Sequence, residues 1–185
     1  MVLCYCNPNE ETSRLPWCVW LQEQAPWWRA FQAKCIYEMA MTERKGYQGQ
    51  RHVKHSKKPI SYIGIVANHG IWKRYEDRRK EFVEKGGEEV RGYHATKRDN
   101  IRGIVHENLD PNRTPAHGRA HGHGCYFSEY PEFSGKYNQQ CMFIFKLLLL
   151  KDQHWKVNRS SQGYCEQIII QDNSLFKPVY CLLFK

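Results

Sequence analysis

The chain has 185 residues, of which 41% are hydrophobic and 25% charged, with a formal net charge of +9. That length supports one domain with a real core and too few residues for two comfortable ones. The composition is that of a soluble globular protein and excludes collagenous, disordered and membrane-spanning classes. The first residues, Met1-Val2-Leu3-Cys4-Tyr5-Cys6-Asn7-Pro8, have neither the cationic start nor the apolar core of a secretory signal. An intracellular protein, in the cytosol or nucleus, is therefore expected, with no membrane partner.

Eight cysteines do not form an obvious disulfide framework. Cys141, Cys165 and Cys181 sit in apolar strand-like segments, where a free thiol behaves as a small hydrophobe, and reduced thiols are expected. Cys4-x-Cys6 lacks the second half of a zinc site. The positive charge is concentrated. Arg51, Lys54, Lys57 and Lys58 precede the first clear strand, and Lys73, Arg74, Arg78, Arg79 and Lys80 load one helix. Such a face suits nucleic acid, an anionic phosphate ligand or plain solvent, and no nucleic-acid-binding motif accompanies it.

In chain order, residues 1 to about 24 show no clean periodicity. Pro26 opens a helix whose Trp28, Phe31, Cys35 and Met39 make a buried stripe. Trp17-x-x-Trp20 and Trp27-Trp28 read as core aromatics, with a faint resemblance to a Trp-Trp-Glu ADP-ribose-binding module. Ile60 to Val66 is a strand. Asn68 caps a helix with Ile71, Trp72, Tyr75, Phe82 and Val83 on its apolar side, stopped by Gly86-Gly87. Val90 to His94 is a short strand, and Asp99 caps a helix through Ile101, Ile104 and Val105. A Gly- and His-rich loop runs from Pro111 to Gly124, followed by a strand at Tyr126 and a short helix around Pro131 to Lys136. Met142 to Leu150, Gln167 to Gln171 and Val179 to Phe184 are three more strands. The pattern is α+β, without repeats.

The chemistry gathers between Tyr93 and Tyr137. A His ends one apolar strand, a Tyr lies inside another, and glycines on either side leave room for a ligand against the backbone. This is a strand-built pocket with one titratable ring and two aromatic faces, suited to a flat heterocycle. His117, His121, His123 and Cys125 are alternatively metal ligands, but four of them within nine residues make poor geometry for a closed site. No metal is expected.

These residues carry a resemblance. Ile60-x-x-Ile63 through Asn68-x-x-Ile71-Trp72-x-x-Tyr75, then Tyr93-His94-Ala95-Thr96, is similar to the start of a poly(ADP-ribose) polymerase (PARP) catalytic domain. Asn108-Leu109-Asp110 and Gly122-His123-Gly124-Cys125-Tyr126-Phe127-Ser128 resemble the branch of that superfamily that transfers single ADP-ribose units. Gln167 to Phe184, with Asp172, Pro178 and Tyr180, resembles its closing hairpin. The resemblance spans roughly residues 46 to 185 and leaves 1 to 45 as a Trp- and Cys-rich N-terminal extension with a helix; the family's helical regulatory domain has no room.

The resemblance implies a diphtheria-toxin-like ADP-ribosyltransferase fold, with split antiparallel sheets flanked by short helices, and NAD+ as co-substrate. It assigns His94 and Tyr126 to the catalytic triad, and makes Ala95, Thr96, Ser134 and Tyr137 donor-binding residues, with Arg113 and Arg119 in the donor loop meeting pyrophosphate. At the third triad position, eleven residues before Pro178, this chain has Gln167 where the family has Glu, with Glu166 beside it. Adjacent strand residues face opposite sides, so a His-Tyr-Gln triad is expected rather than a slip onto Glu166.

Cleaving the nicotinamide–ribose bond develops charge at the anomeric carbon, as in glycoside transfer. A glutamine hydrogen-bonds a ribose hydroxyl but is no base. The implied activity is a glycosyltransferase that mono-ADP-ribosylates protein side chains, its own included. The alternative is an inactive PARP-like module that retains NAD or ADP-ribose binding.

Overall fold

The computed structural model describes residues 18–22, 60–113, 122–129, 131–135, 137–138, 140–150, 155–158 and 166–185. The expected helix after Pro26, with Trp27 and Trp28, lies outside these residues, as do Trp17, Arg119, His117, His121 and Cys165, while Trp20 falls within residues 18–22. Eight strands and three helices are described: β1 (Cys18–Gln22), β2 (Ile60–Val66), α1 (His69–Glu84), β3 (Glu88–Thr96), α2 (Ile101–Glu107), β4 (Cys125–Ser128), the single-turn α3 (Pro131–Ser134), β5 (Cys141–Leu149), β6 (Trp155–Asn158), β7 (Glu166–Ile170) and β8 (Phe176–Phe184). Among the described residues no helix is long and apolar enough to cross a membrane.

The strands run in the order β1-β2-β8-β5-β3-β4-β7-β6, and every neighbouring pair is antiparallel. This is an α+β fold, the PARP-type ADP-ribosyltransferase architecture. β1, which falls before residue 46, pairs with β2 from Cys18↔Val66 to Gln22↔Tyr62.

The sheet is divided. On one side β1, β2, β8, β5 and β3 form long ladders, with β3 paired to β5 at every residue from Glu88↔Leu149 to Thr96↔Cys141. On the other side lie β4, β7 and β6. A single register pair, Tyr93↔Ser128, joins the two sides.

Burial on both faces explains why the central strands are apolar runs rather than alternating ones. Every residue of β5 except Lys146 is buried. One face packs under α1 and α2 through Tyr75, Phe82, Ile101, Ile104 and Val105, and through Phe127, Phe143, Phe145 and Phe176 from the strands. Tyr93, Met142, Ile144 and Leu182 belong to the other face. Phe127, Phe145 and Phe176 meet at centroid distances of 5.1, 5.0 and 5.9 Å. Such ring pairs contribute about 0.5–1.5 kcal/mol each beyond their buried area.

Asn68 does more than cap α1. Its Oδ1 accepts from the Ile71 amide, while its Nδ2 donates to Val105 and His106 carbonyls at the end of α2. One side chain thus ties two helix termini together. At the far end of α1, Gly86 adopts φ +73°, the left-handed stop that glycine permits.

Two expectations fail locally. Val83 is 59% exposed and is not part of the apolar side of α1. Phe82 is the last buried residue of the helix, which ends at its C-cap Lys85. Asp99 does not cap α2. It lies in a 3-10 turn, Arg98–Asn100, that precedes the helix without a side-chain cap.

Candidate active site

The site lies where the sheet divides. Beyond Tyr93↔Ser128 no further pair joins β3 to β4, so the next backbone acceptors of β4 have no ladder partner on β3. His94 fills that role with its side chain: Nδ1 lies 2.9 Å from the Tyr126 carbonyl oxygen. A carbonyl only accepts, so Nδ1 carries the proton and Nε2 of the neutral ring keeps its lone pair. The imidazole rests against Phe127 and Phe145, at 6.1 and 6.4 Å between centroids. Burial against these rings pushes the His94 pKa below its ordinary value, and the bond to Tyr126 opposes this only in part.

Ser134, from α3, is buried and donates to the Tyr93 carbonyl at 2.8 Å. That bond fixes the Tyr93 carbonyl toward the α3 side of β3. Backbone groups of alternate strand residues point the same way, so the amide and carbonyl of Ala95 face the opening as well. A methyl group at Ala95 does not obstruct either one. Thr96 is buried, and its Oγ1 accepts from Asn100 Nδ2 at 2.8 Å. Asn100 was not singled out from sequence; its only signal is the i+4 spacing from Thr96 across a turn.

Paired strand residues share a face. Tyr126↔Ile169 and Ser128↔Gln167 therefore set Tyr126 and Gln167 on the same face of β4 and β7. Phe127 and Ile168 turn to the aromatic core instead. Gln167 is buried; its Nε2 donates to the Tyr137 hydroxyl at 3.0 Å, and its Oε1 has no partner. Tyr137 is largely exposed and stands edge-on to Phe133 at 5.7 Å. The Tyr126 hydroxyl donates to the Gly122 carbonyl at 2.6 Å, at the end of the Gly- and His-rich loop. Gln171 Nε2 donates to the His123 carbonyl at 3.2 Å, so this end of the segment is tied twice.

The glycines correct the sequence reading. Space at Gly92 is closed by Leu147 and Phe127, with a Cβ there standing 2.5 Å from Leu147 Cδ1. Gly124, at φ +140°, is closed by Ile169 and the Ile170 carbonyl. Only at Gly122, φ +95°, is the space open among the three. Two of the glycines thus serve strand packing, not ligand approach.

Of the metal candidates, His123 Nε2 lies 3.1 Å from Asn112 Oδ1, and Cys125 is a buried thiol. Burial, with help from Asp110, pushes the Cys125 thiol up to about 12. Arg113 is exposed and borders α2 beside Gly103. Cys141 and Cys181 are buried thiols 3.4 Å apart.

An α+β sheet split at one residue pair, with a neutral histidine in the gap, is the arrangement of an ADP-ribosyltransferase domain. The chain belongs to the poly(ADP-ribose) polymerase catalytic domain family, whose model matches residues 37–151. The matched span includes His94, Tyr126, Ser134 and Tyr137, and ends before Gln167. No curated protein matches the chain. The family's chemistry is transfer of ADP-ribose with NAD+ as co-substrate.

Proposed function

We propose that this chain is a mono-ADP-ribosyltransferase, attaching one ADP-ribose to a protein side chain with release of nicotinamide. NAD supplies the labile glycosidic bond and the leaving group. In this reading His94 Nε2 accepts from a ribose hydroxyl, the Ala95 backbone and Ser134 hold the carboxamide, and Tyr126 and Tyr137 flank the nicotinamide ring. Thr96 stands beside them, and Arg113 and Arg119 answer the pyrophosphate.

The observation that carries the reading is the orphaned Gln167 Oε1, buried on the face it shares with Tyr126. A buried amide oxygen without a partner costs about 1–3 kcal/mol. A donor hydroxyl from the ligand removes that cost. Because Gln167 is neutral, it cannot take a proton from a ribose hydroxyl, the nucleophile that chain extension needs. A carboxylate or thiolate acceptor arrives already ionised, so single transfer makes no such demand. The acceptors are protein side chains of the cytosol or nucleus, the chain's own included.

The second reading is a silent NAD- or ADP-ribose-binding module, favoured by the same neutral amide. Incubation with labelled NAD separates the two. One added ADP-ribose mass supports transfer. A thermal shift with NAD but no covalent label selects the silent module, and a ladder of lengthening chains overturns the role given to Gln167.

A further inference from the structure

Gln167 and Tyr137 are held unequally. Gln167 is 7% exposed, fixed on β7 opposite Ser128, and Tyr137 is 56% exposed, with one edge contact to Phe133. The hydrogen bond from Gln167 Nε2 to the phenol oxygen therefore joins a rigid strand residue to a ring that otherwise stands mostly in water. Its direction matters. A carboxylate at position 167 is acceptor-only, and a tyrosine beside it must spend its own O–H on that carboxylate. The amide donates, so the phenol oxygen accepts and its O–H is released for another group. The amide oxygen is meanwhile buried without a partner. The two side chains thus offer one acceptor and one donor, a combination that an acid at 167 does not provide.

We propose that Gln167 is a positioning residue that pins the Tyr137 ring at the rim of the cleft, and that the pair works as an amphoteric clamp for a hydroxyl group of the ligand. This rests on the reading of the cleft as the NAD site. In that setting the glutamine is not a weakened base. It fixes a wall of the pocket and keeps that wall's hydroxyl free to donate. Tight binding of the donor then depends on the two residues together, and removing either side of the clamp abolishes the contribution of the other.

The contact is testable without ligand. The side-chain amide resonances of Gln167, identified by their loss in Gln167→Leu, move in Tyr137→Phe if the phenol oxygen accepts from Nε2; unchanged resonances overturn the pinning. Calorimetric titration with NAD then completes a double-mutant cycle. Tyr137→Phe weakens binding about three- to tenfold when Gln167 is present, the range of one hydrogen bond. In Gln167→Leu the same change costs less than about twofold. Equal losses in both backgrounds overturn the clamp, as does a collapse of the melting temperature in unliganded Tyr137→Phe, which assigns the hydroxyl to folding. Failure of the wild type to bind NAD at all overturns the donor-site reading instead, and the resonance test still decides the pinning contact.

Discussion

The outer face of α1 and the divide between β3 and β4 both carry polar groups, and they differ in number and in charge. On α1 the charges answer one another. Lys73 meets Asp77 at 3.0 Å, Arg78 meets Glu81 and Asp172, and Arg79 reaches Glu89 at 3.3 Å. Lys85 joins Glu81, whose carboxyl is held below its ordinary value first by that lysine and then by Arg78. Glu89 resists burial through Lys146, the Tyr75 hydroxyl and Arg79, and ends below its ordinary value, while burial drives the Tyr75 phenol upward. Three of the five cations that looked like a nucleic-acid face are thus spent inside the protein. In the cleft the groups are fewer, less charged and incompletely satisfied. Concentration of charge marks a structural belt here, and buried atoms without a partner occur in both regions, Trp72 Nε1 and Arg78 Nε on α1 and Gln167 Oε1 on β7.

Replacing His94 by Ala is the harshest test of that contrast. Loss of a positioned hydrogen bond at a reacting centre lowers rate on the order of a hundredfold or more, so label transfer from NAD should fall to background while the far-UV circular dichroism of the folded protein is retained. Transfer at the wild-type rate makes His94 a packing residue.

On the belt, the largest effect belongs to Lys177. Its ammonium sits 4.6 and 4.5 Å from the Trp72 and Tyr75 rings and 2.6 Å from Glu76. Lys177→Ala should cost about 1–3 kcal/mol in urea unfolding, because both ring contacts disappear together with an ion pair whose lysine is buried and whose glutamate is half-exposed. NAD binding should not follow it. A parallel loss of NAD affinity would merge the two regions.

Acid sharpens the comparison. The folded state keeps His94 neutral and its pKa below the unfolded value of about 6.5. The unfolded chain therefore binds the proton first. Stability from this group is complete above about pH 6.5 and is lost as the pH falls below it, with a slope of at most about 1.4 kcal/mol per pH unit. His94→Gln should flatten that limb of a stability–pH curve measured by urea unfolding; an unchanged limb assigns the acid sensitivity elsewhere.

Lys73→Ala should do least, within about 0.5 kcal/mol, as exposed i,i+4 pairs usually do. A loss of 2 kcal/mol or more, beyond that ordinary range of about 0.5 kcal/mol, would show that the belt acts as one cooperative network.

Much of the fold was legible because its strands are apolar runs between breakers. Ile60–Val66 falls exactly where its β-branched residues predict, between Pro59 and Asn68. β3 begins two residues early because Glu88 and Glu89, poor strand formers in isolation, gain Leu149, Lys146 and Tyr75 as partners. β8 begins three residues early for a related reason. Pro178 argues against a strand there, but the ladder steps from Ile144↔Tyr180 to Phe145↔Pro178, and the irregularity absorbs the missing amide. β1 and β6 were missed because each is short and defined by its neighbour. In the site, the residue types were visible and their bonding was not. Nothing local to Gln167 says that one end of its amide meets Tyr137 and the other meets nothing, since that follows from a contact between residues 30 apart in sequence.

The lone Tyr93↔Ser128 pair also governs how the molecule comes apart. Five strands on one side and three on the other are each knit by full ladders, whereas a single rung spans the divide, supplemented by side-chain bonds from His94 and Ser134. Local opening follows the weakest seam, so amide hydrogens of Ala95 and Tyr126 should exchange with solvent sooner than those deep in β5. A molecule bound across the divide stitches it shut, and exchange along that seam slows without any loop having to close.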